Sequence, residues 1–317
     1  MNRRPFRIVL AEPFSEAVVN KLRGVGEVTI LPDSAPATII GAMAEADALL
    51  VRAKAHVTAR IIDSAPKLRV IGRASQTIDH IDLRAAKRRD IPVVYSPNAA
   101  VKSAAEFALG LMIASHRHIP VLDSQVREGR FDIARQIQVR EFRYAVIGFL
   151  GLDPVAEHVG RMLEQAFDST MIYHDPLGGE PGSFKARSVS FDELLGTSDV
   201  LSIHLRQSVS PRRMIDADAL AKMKPEATLV NITRGSAINL IALAAALQSG
   251  RLSGAALDVF ETEPLPLQHP LRRSPNCLLT PHVAGLTIDS LEERSTVADD
   301  VIRVLIGEAP RHPAQLP

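Results

Sequence analysis

The chain has no tryptophan, one cysteine and only 4% aromatic residues. A single cysteine excludes a disulfide framework within the chain and fits a reducing compartment. That residue, Cys277, sits in the apolar run Cys277-Leu278-Leu279 and is expected to be a buried strand residue. An excess of charge of one sign is missing as well, since 37 Lys and Arg face 36 Asp and Glu. With no basic tract interleaved with aromatics, nucleic acid is not an expected partner. No apolar run reaches the length that spans a bilayer, so no membrane partner is expected either. Arg3 and Arg4 precede an apolar stretch, Ile8 to Ala11, too short for a signal-peptide core. The expected location is the cytoplasm.

What is present is a globular composition, 46% apolar and 23% charged over 317 residues. That length suits two domains better than one core. Short apolar, β-branched runs alternate with helix-length amphipathic segments. Ile8 to Leu10, Ala48 to Val51, Val70 to Gly72 and Val93 to Tyr95 read as strands, and Phe14 to Leu22 as a helix. A long helix follows from about Val101 to His118, striped by Val101, Ala105, Ala108, Leu109 and Met112. A second series starts at Tyr144 to Gly148. It continues through Thr170 to Tyr173, Val200 to Ile203, Thr228 to Ile232, Ala255 to Val259 and Cys277 to Thr280. Strands apolar on both faces and separated by helices imply parallel sheets covered on both sides. Val297, Val301, Val304 and Leu305 stripe a C-terminal helix, and the tail after Gly307, with Pro310 and Pro313, is expected to fray.

Two groups of residues carry chemistry. Gly151 opens the turn after the strand ending at Leu150, and Val155, Val159 and Leu163 stripe the helix that follows. This is the setting in which a dinucleotide pyrophosphate approaches backbone and helix N-terminus. Asp175 ends the next strand, where a carboxylate can hold ribose hydroxyls and repel a 2′-phosphate. The same residues also fit an ordinary turn glycine and a loop aspartate. The second group is Arg234, Glu263 and His282, each just after a strand of the second series. They should meet at the carboxyl-end crevice where open α/β sheets bind ligands. An arginine for a substrate carboxylate, a histidine to pass a proton and a carboxylate to orient it suffice for reversible reduction of a 2-oxo acid. Taken singly, each also fits a surface ion pair, a helix cap or a loop histidine.

The stretches Leu229 to Gly235, Gly254 to Pro264 and Leu279 to Gly285 resemble the D-2-hydroxyacid dehydrogenases, on the branch that includes phosphoglycerate dehydrogenase. The similarity runs from about Phe6 to Gly307. The resemblance implies two doubly wound parallel-sheet domains. One is a Rossmann-like cofactor domain, 101–284, and the other a flavodoxin-like substrate domain formed by 1–100 and 285–317. It implies Arg234, Glu263 and His282 as the catalytic residues. It also implies NAD as cofactor, a small 2-hydroxy/2-oxo acid as substrate and a homodimer through the cofactor domains, with no metal. The cofactor residues it implies are Gly151, Asp153, Pro154 and Val155 of the turn, Asp175 at the ribose, Ile232 and Thr233 against the cofactor, and Asp258 on the nicotinamide amide. Arg52, Gln76 and Thr77, with Arg234, are the implied substrate contacts.

The sequence departs from the family pattern at two loops. The turn reads Gly151-Leu152-Asp153-Pro154-Val155-Ala156 where G-x-G-x-x-G is usual. Asp153 fits a helix N-cap and Pro154 the first helical position. A carboxylate there also repels a diphosphate, which predicts weakened NADH binding. In the substrate loop, Ser75-Gln76-Thr77 replaces glycines, and Arg206 replaces a proline two residues after His204. Arg206 fits a solvated loop charge or a cofactor contact. These losses support a second reading: an NAD(H)-sensing or interaction protein on the same fold with impaired turnover.

Overall fold

The computed structural model describes residues 4–52, 54–206 and 212–315. The chain divides into two compact units, Met1–Ala100 with Thr287–Pro317, and Val101–Leu286.

The first unit is a five-stranded sheet of β1 (Phe6–Leu10), β2 (Gly26–Ile30), β3 (Ala48–Val51), β4 (Val70–Arg73) and β5 (Val93–Tyr95). The order is β2-β1-β3-β4-β5 and every pairing is parallel, the flavodoxin arrangement. The connections run through α1 (Glu16–Arg23), α2 (Pro36–Ala42), α3 (Ala59–Asp63) and α4 (Leu83–Arg88). Successive strand residues face opposite sides. Ile8, Leu10 and Leu50 thus pack with Val18 and Leu22 of α1, while Val9, Leu49 and Val51 pack with Ile39, Ile61 and Ile62. The edge strand β2 had no counterpart in the sequence reading, because most of it is solvent-facing and lacks a continuous apolar run.

The second unit opens with α5 (Val101–His116), α6 (Ile119–Arg127) and α7 (Phe131–Ala134). Its sheet then alternates β6 (Val146–Leu150), α8 (Pro154–Ala166), β7 (Thr170–His174), β8 (Arg187–Ser188), α9 (Phe191–Thr197) and β9 (Val200–Ile203). It continues with α10 (Ala217–Lys222), β10 (Thr228–Asn231), α11 (Leu240–Gln248), β11 (Gly254–Leu257) and β12 (Cys277–Leu279). The seven strands are parallel in the order β12-β11-β10-β9-β6-β7-β8. The chain therefore leaves β6 in one direction and returns at β9 in the other, which makes their junction the topological switch point. Both faces are covered: Leu229, Ala255 and Leu257 face one core, Ile147, Phe149 and Val230 the other. Tyr144, read as the start of β6, instead closes a short 3-10 turn and is exposed.

The chain then returns to the first unit as α12 (Ile288–Ser295) and α13 (Val297–Ile306). Val297, Val301 and Leu305 of α13 complete the core over β4. The tail does not fray. Buried Asp300 accepts the backbone N–H groups of Arg311 and His312 at 2.7 and 2.9 Å. Ala314 N–H then donates to Val93 O at 2.7 Å, so the tail pairs along β5. Cys277 is half-buried on the edge strand β12 rather than fully buried, and burial pushes its thiol up to about 12.

Candidate active site

Adjacent strands β10, β11 and β12 each end in a loop carrying one of the three candidate catalytic residues. After β10, the buried Asn231 accepts the backbone N–H groups of Thr233 and Arg234 at 3.1 and 3.2 Å, and its amide donates to Arg234 O at 2.7 Å. This side chain acts as a surrogate backbone for a tight turn and fixes where Arg234 leaves the sheet. Sequence reasoning passed over it, although an asparagine between a strand and Thr-Arg-Gly is a turn signal. The half-buried Arg234 has no side-chain hydrogen bond or ion pair among the described residues. Gly235 lets the next loop close in, since a Cβ there would lie 2.0 Å from the Phe260 carbonyl carbon.

Phe260 in turn donates its N–H to Glu263 Oε1 at 3.0 Å, and Glu263 Oε2 meets His282 Nδ1 at 2.9 Å. Burial pushes the Glu263 carboxyl up, but the hydrogen bonds from His282 and Phe260 outweigh it and hold the group below its usual range. His282 sits at φ +56, a left-handed backbone that costs a non-glycine residue on the order of 1 kcal/mol. Its loop is held by Asp258, whose Oδ1 accepts Thr280 Oγ1 at 2.6 Å and Val283 N–H at 3.0 Å, while Oδ2 accepts Ala284 N–H at 2.9 Å. Asp258 is fully buried. Its carboxylate, implied by the resemblance as a nicotinamide contact, holds the histidine loop in place. Glu263 and His282 border an open pocket of about 550 Å³ with Phe260, Leu265, Arg272 and Leu279.

The turn expected to meet a dinucleotide follows β6, at the switch point between β6 and β9. Gly151 has φ +88, and a Cβ there would come within 2.4 Å of His204 O. Asp153 is the N-cap of the 13-residue α8, its Oδ1 accepting Ala156 N–H at 2.8 Å, with Pro154 first in the helix. The same oxygen meets His204 Nδ1 at 3.1 Å, and His204 Nε2 meets Ser202 Oγ at 2.9 Å. The Oδ1 of this carboxylate is thus turned into the fold, toward the helix N-terminus and His204. Val155 and Ile232 are buried in the core cluster beneath, so only their backbone is available to a ligand. Thr233 Oγ1 donates to Ile203 O at 3.1 Å, tying the β10 loop to the end of β9. Asp175, at the end of β7, curls onto its own loop and accepts Leu177 and Gly179 N–H at 3.2 and 3.1 Å.

Arg52, Gln76 and Thr77 belong to the first unit, after β3 and β4. Arg52 Nη1 donates to Pro13 O at 2.7 Å and its backbone N–H to Glu12. Gln76 spends its amide nitrogen on Ala99 O, and Thr77 N–H reaches Ser75 Oγ at 3.4 Å. Among the described residues, no group of three or more His, Cys, Asp or Glu can hold a metal ion.

Residues 109–284 match the family model described as D-isomer specific 2-hydroxyacid dehydrogenase, NAD binding domain. Among curated proteins, the chain is 32% identical to a D-3-phosphoglycerate dehydrogenase of Archaeoglobus fulgidus over 98% of its own length and 59% of the relative's. It therefore spans less than two thirds of that longer protein. It is 35% identical to a glyoxylate reductase of Thermofilum pendens over 83% of this chain and 80% of that one. Among solved structures, a 2-hydroxyacid dehydrogenase from Ketogulonicigenium vulgare Y25 superposes with a TM-score of 0.86 at 27% identity, covering 99% of each chain.

Proposed function

Given that the chain belongs to the D-isomer specific 2-hydroxyacid dehydrogenase family, with residues 109–284 its NAD-binding domain, we propose that it transfers a hydride between NAD(H) and a small 2-hydroxy/2-oxo acid. The observation that carries this reading is the 2.9 Å contact between Glu263 Oε2 and His282 Nδ1. An ionised Glu263 fixes the proton on Nδ1 and so leaves Nε2 as the atom that exchanges one with the substrate oxygen. In the reductive direction His282 gives that proton to the carbonyl oxygen; in the oxidative direction it takes it from the hydroxyl. Arg234 offers its planar fork to the substrate carboxylate or carbonyl. Asp258 acts as a positioning residue through the Val283–Ala284 backbone. Bound NAD(H) supplies or accepts the hydride.

The dinucleotide is supported by the strand, the close turn at Gly151 and the 13-residue α8 at the switch point. Asp175 supports NAD over NADP, as a ribose-binding carboxylate that repels a 2′-phosphate. The residues fit with one donor missing, because Pro154 has no N–H. That single loss favours the second reading, an NAD(H)-binding protein with impaired turnover. Incubating the protein with NADH and a panel of 2-oxo acids separates the two. Consumption of NADH with any of them is expected, and NADH binding without turnover across the panel leaves only the second reading.

The assembly proposed is a homodimer. Ile119, Val126, Phe131 and Ile133 on the mutually packed α6 and α7 are each at least half exposed, an apolar patch that suits a protein interface. Sedimentation should give twice the chain mass for the wild type and a monomer for Phe131→Glu. A wild-type monomer overturns the assembly. The cytoplasm is the proposed setting, supported by the single free thiol of Cys277; among the described residues, no helix is long and apolar enough to cross a membrane.

A further inference from the structure

We propose that Arg206 makes the adenosine end of the cofactor site tolerant of a 2′-phosphate, so that the protein takes NADP(H) as well as NAD(H). The proposal rests on reading the β6–β9 crevice as the dinucleotide site. Arg206 lies three residues beyond β9, across the switch point from the turn. Its Nε donates to Leu152 O, inside the turn itself, at 2.8 Å. That bond anchors the exposed side chain, whereas a freely solvated arginine keeps its rotamer freedom.

The anchored guanidinium lies in the neighbourhood of Asp175, the carboxylate proposed for the ribose. The position that a Cβ on Gly179 would occupy lies 2.5 Å from Asp175 Oδ2 and 3.4 Å from Arg206 Nη2. Asp175 Oδ2 and Arg206 Nη2 thus both lie within 3.4 Å of one point beside Gly179, and a side chain at 179 would crowd the carboxylate. Asp175 does not need the arginine to satisfy it, because its two oxygens already accept Leu177 and Gly179 N–H. Alone, Asp175 would exclude a dianionic phosphate beside the ribose hydroxyls. With Arg206 Nη2 beside it, the same place holds a cation fitted to bind phosphate oxygens through charge-assisted hydrogen bonds. The expected outcome is a modest preference for NADH in place of strict selection.

Titrating wild type, Arg206→Gln and Arg206→Lys with NADH and with NADPH tests this. Wild type should bind the two within about tenfold of each other. Arg206→Gln should weaken NADPH by about tenfold while changing NADH by less than about twofold, a gap typical of one lost charge-assisted contact. Arg206→Lys should fall between, keeping the charge without the fork. A ratio of affinities unmoved by Arg206→Gln overturns the proposal, whether neither cofactor changes or both weaken alike, as a diphosphate contact would give. Exclusion of NADPH by wild type more than about a thousandfold overturns it too. In those cases NADH binding still stands. Failure of wild type to bind either dinucleotide removes the underlying site reading along with the proposal.

Discussion

The second unit contains two carboxylate–histidine pairs of nearly equal length, at opposite ends of accessibility. Glu263–His282 is 2.9 Å long with a His282 side chain 63% exposed; Asp153–His204 is 3.1 Å long with His204 fully enclosed. In each, the carboxylate meets Nδ1. The second ring nitrogen makes the difference. His204 Nε2 is closed off by Ser202 Oγ, whereas His282 Nε2 has no hydrogen-bond partner among the described residues, and the exposed His282 lines an open pocket. Proton exchange with a ligand needs a free nitrogen that a ligand can reach. By that criterion the first pair can do chemistry and the second can only hold structure. The second pair also explains how a turn that lost its glycine remains well formed, since the aspartate that replaced it is absorbed by the helix cap and by His204.

Replacing both histidines is the sharpest way to break this comparison. His282→Asn should lower turnover by roughly two to four orders of magnitude while leaving NADH affinity and thermal stability near wild type. His204→Asn should do the reverse, keeping turnover per folded molecule and losing about 1–3 kcal/mol of stability as buried partners go unpaired. Steady-state kinetics and thermal denaturation on the two variants decide it; a His204 variant that folds normally but is inactive would assign both pairs to the chemistry. Next in size is Arg234→Lys. A point charge cannot reproduce the planar fork, so kcat/KM should fall by about tenfold or more, the size of one lost charge-assisted contact. An unchanged kcat/KM counts against Arg234 as the substrate anchor.

Asp153→Ala tests the structural half. It removes the α8 cap, at about 1 kcal/mol, and leaves His204 Nδ1 without its carboxylate. Chemical denaturation should show the loss. NADH affinity should move by less than about threefold, within about 0.7 kcal/mol, because the carboxylate faces inward. Tightening by ten times or more would restore the view that Asp153 repels the diphosphate.

The three catalytic candidates were legible because side chains carry their roles and the strand–loop positions can be read from apolar runs. The same patterns revealed both parallel sheets, apart from β2 and the two-residue β8, whose residues are polar or exposed. What stayed hidden were contacts between residues distant in sequence. Nothing local links Asp153 to His204, or Asp300 to the tail it pins. Asp258 was legible as important, but its hold on the histidine loop was not, because that role rests on burial and on partners more than twenty residues away. Gln76 and Arg52 likewise had an expected ligand but spend polar atoms on Ala99 and Pro13 carbonyls.

The smallest expected effect concerns the charge of the open pair. Burial raises the Glu263 carboxyl, and the hydrogen bonds from His282 and Phe260 more than reverse this, leaving it below its ordinary value of 4.5. A carboxyl whose folded value is depressed contributes stability above its unfolded pKa and loses it as pH falls through the folded value. The advantage of wild type over Glu263→Gln should therefore shrink as pH falls below about 4, through the usual carboxylate range and beyond. The side chain is 38% exposed, so solvent screening keeps the advantage small. Thermal midpoints of the two proteins measured between about pH 6 and pH 3 give the comparison directly. An advantage that grows as pH falls from about 5 to about 3 would mean that Glu263 is destabilised as a carboxylate, and the orientation of His282 would then need another source.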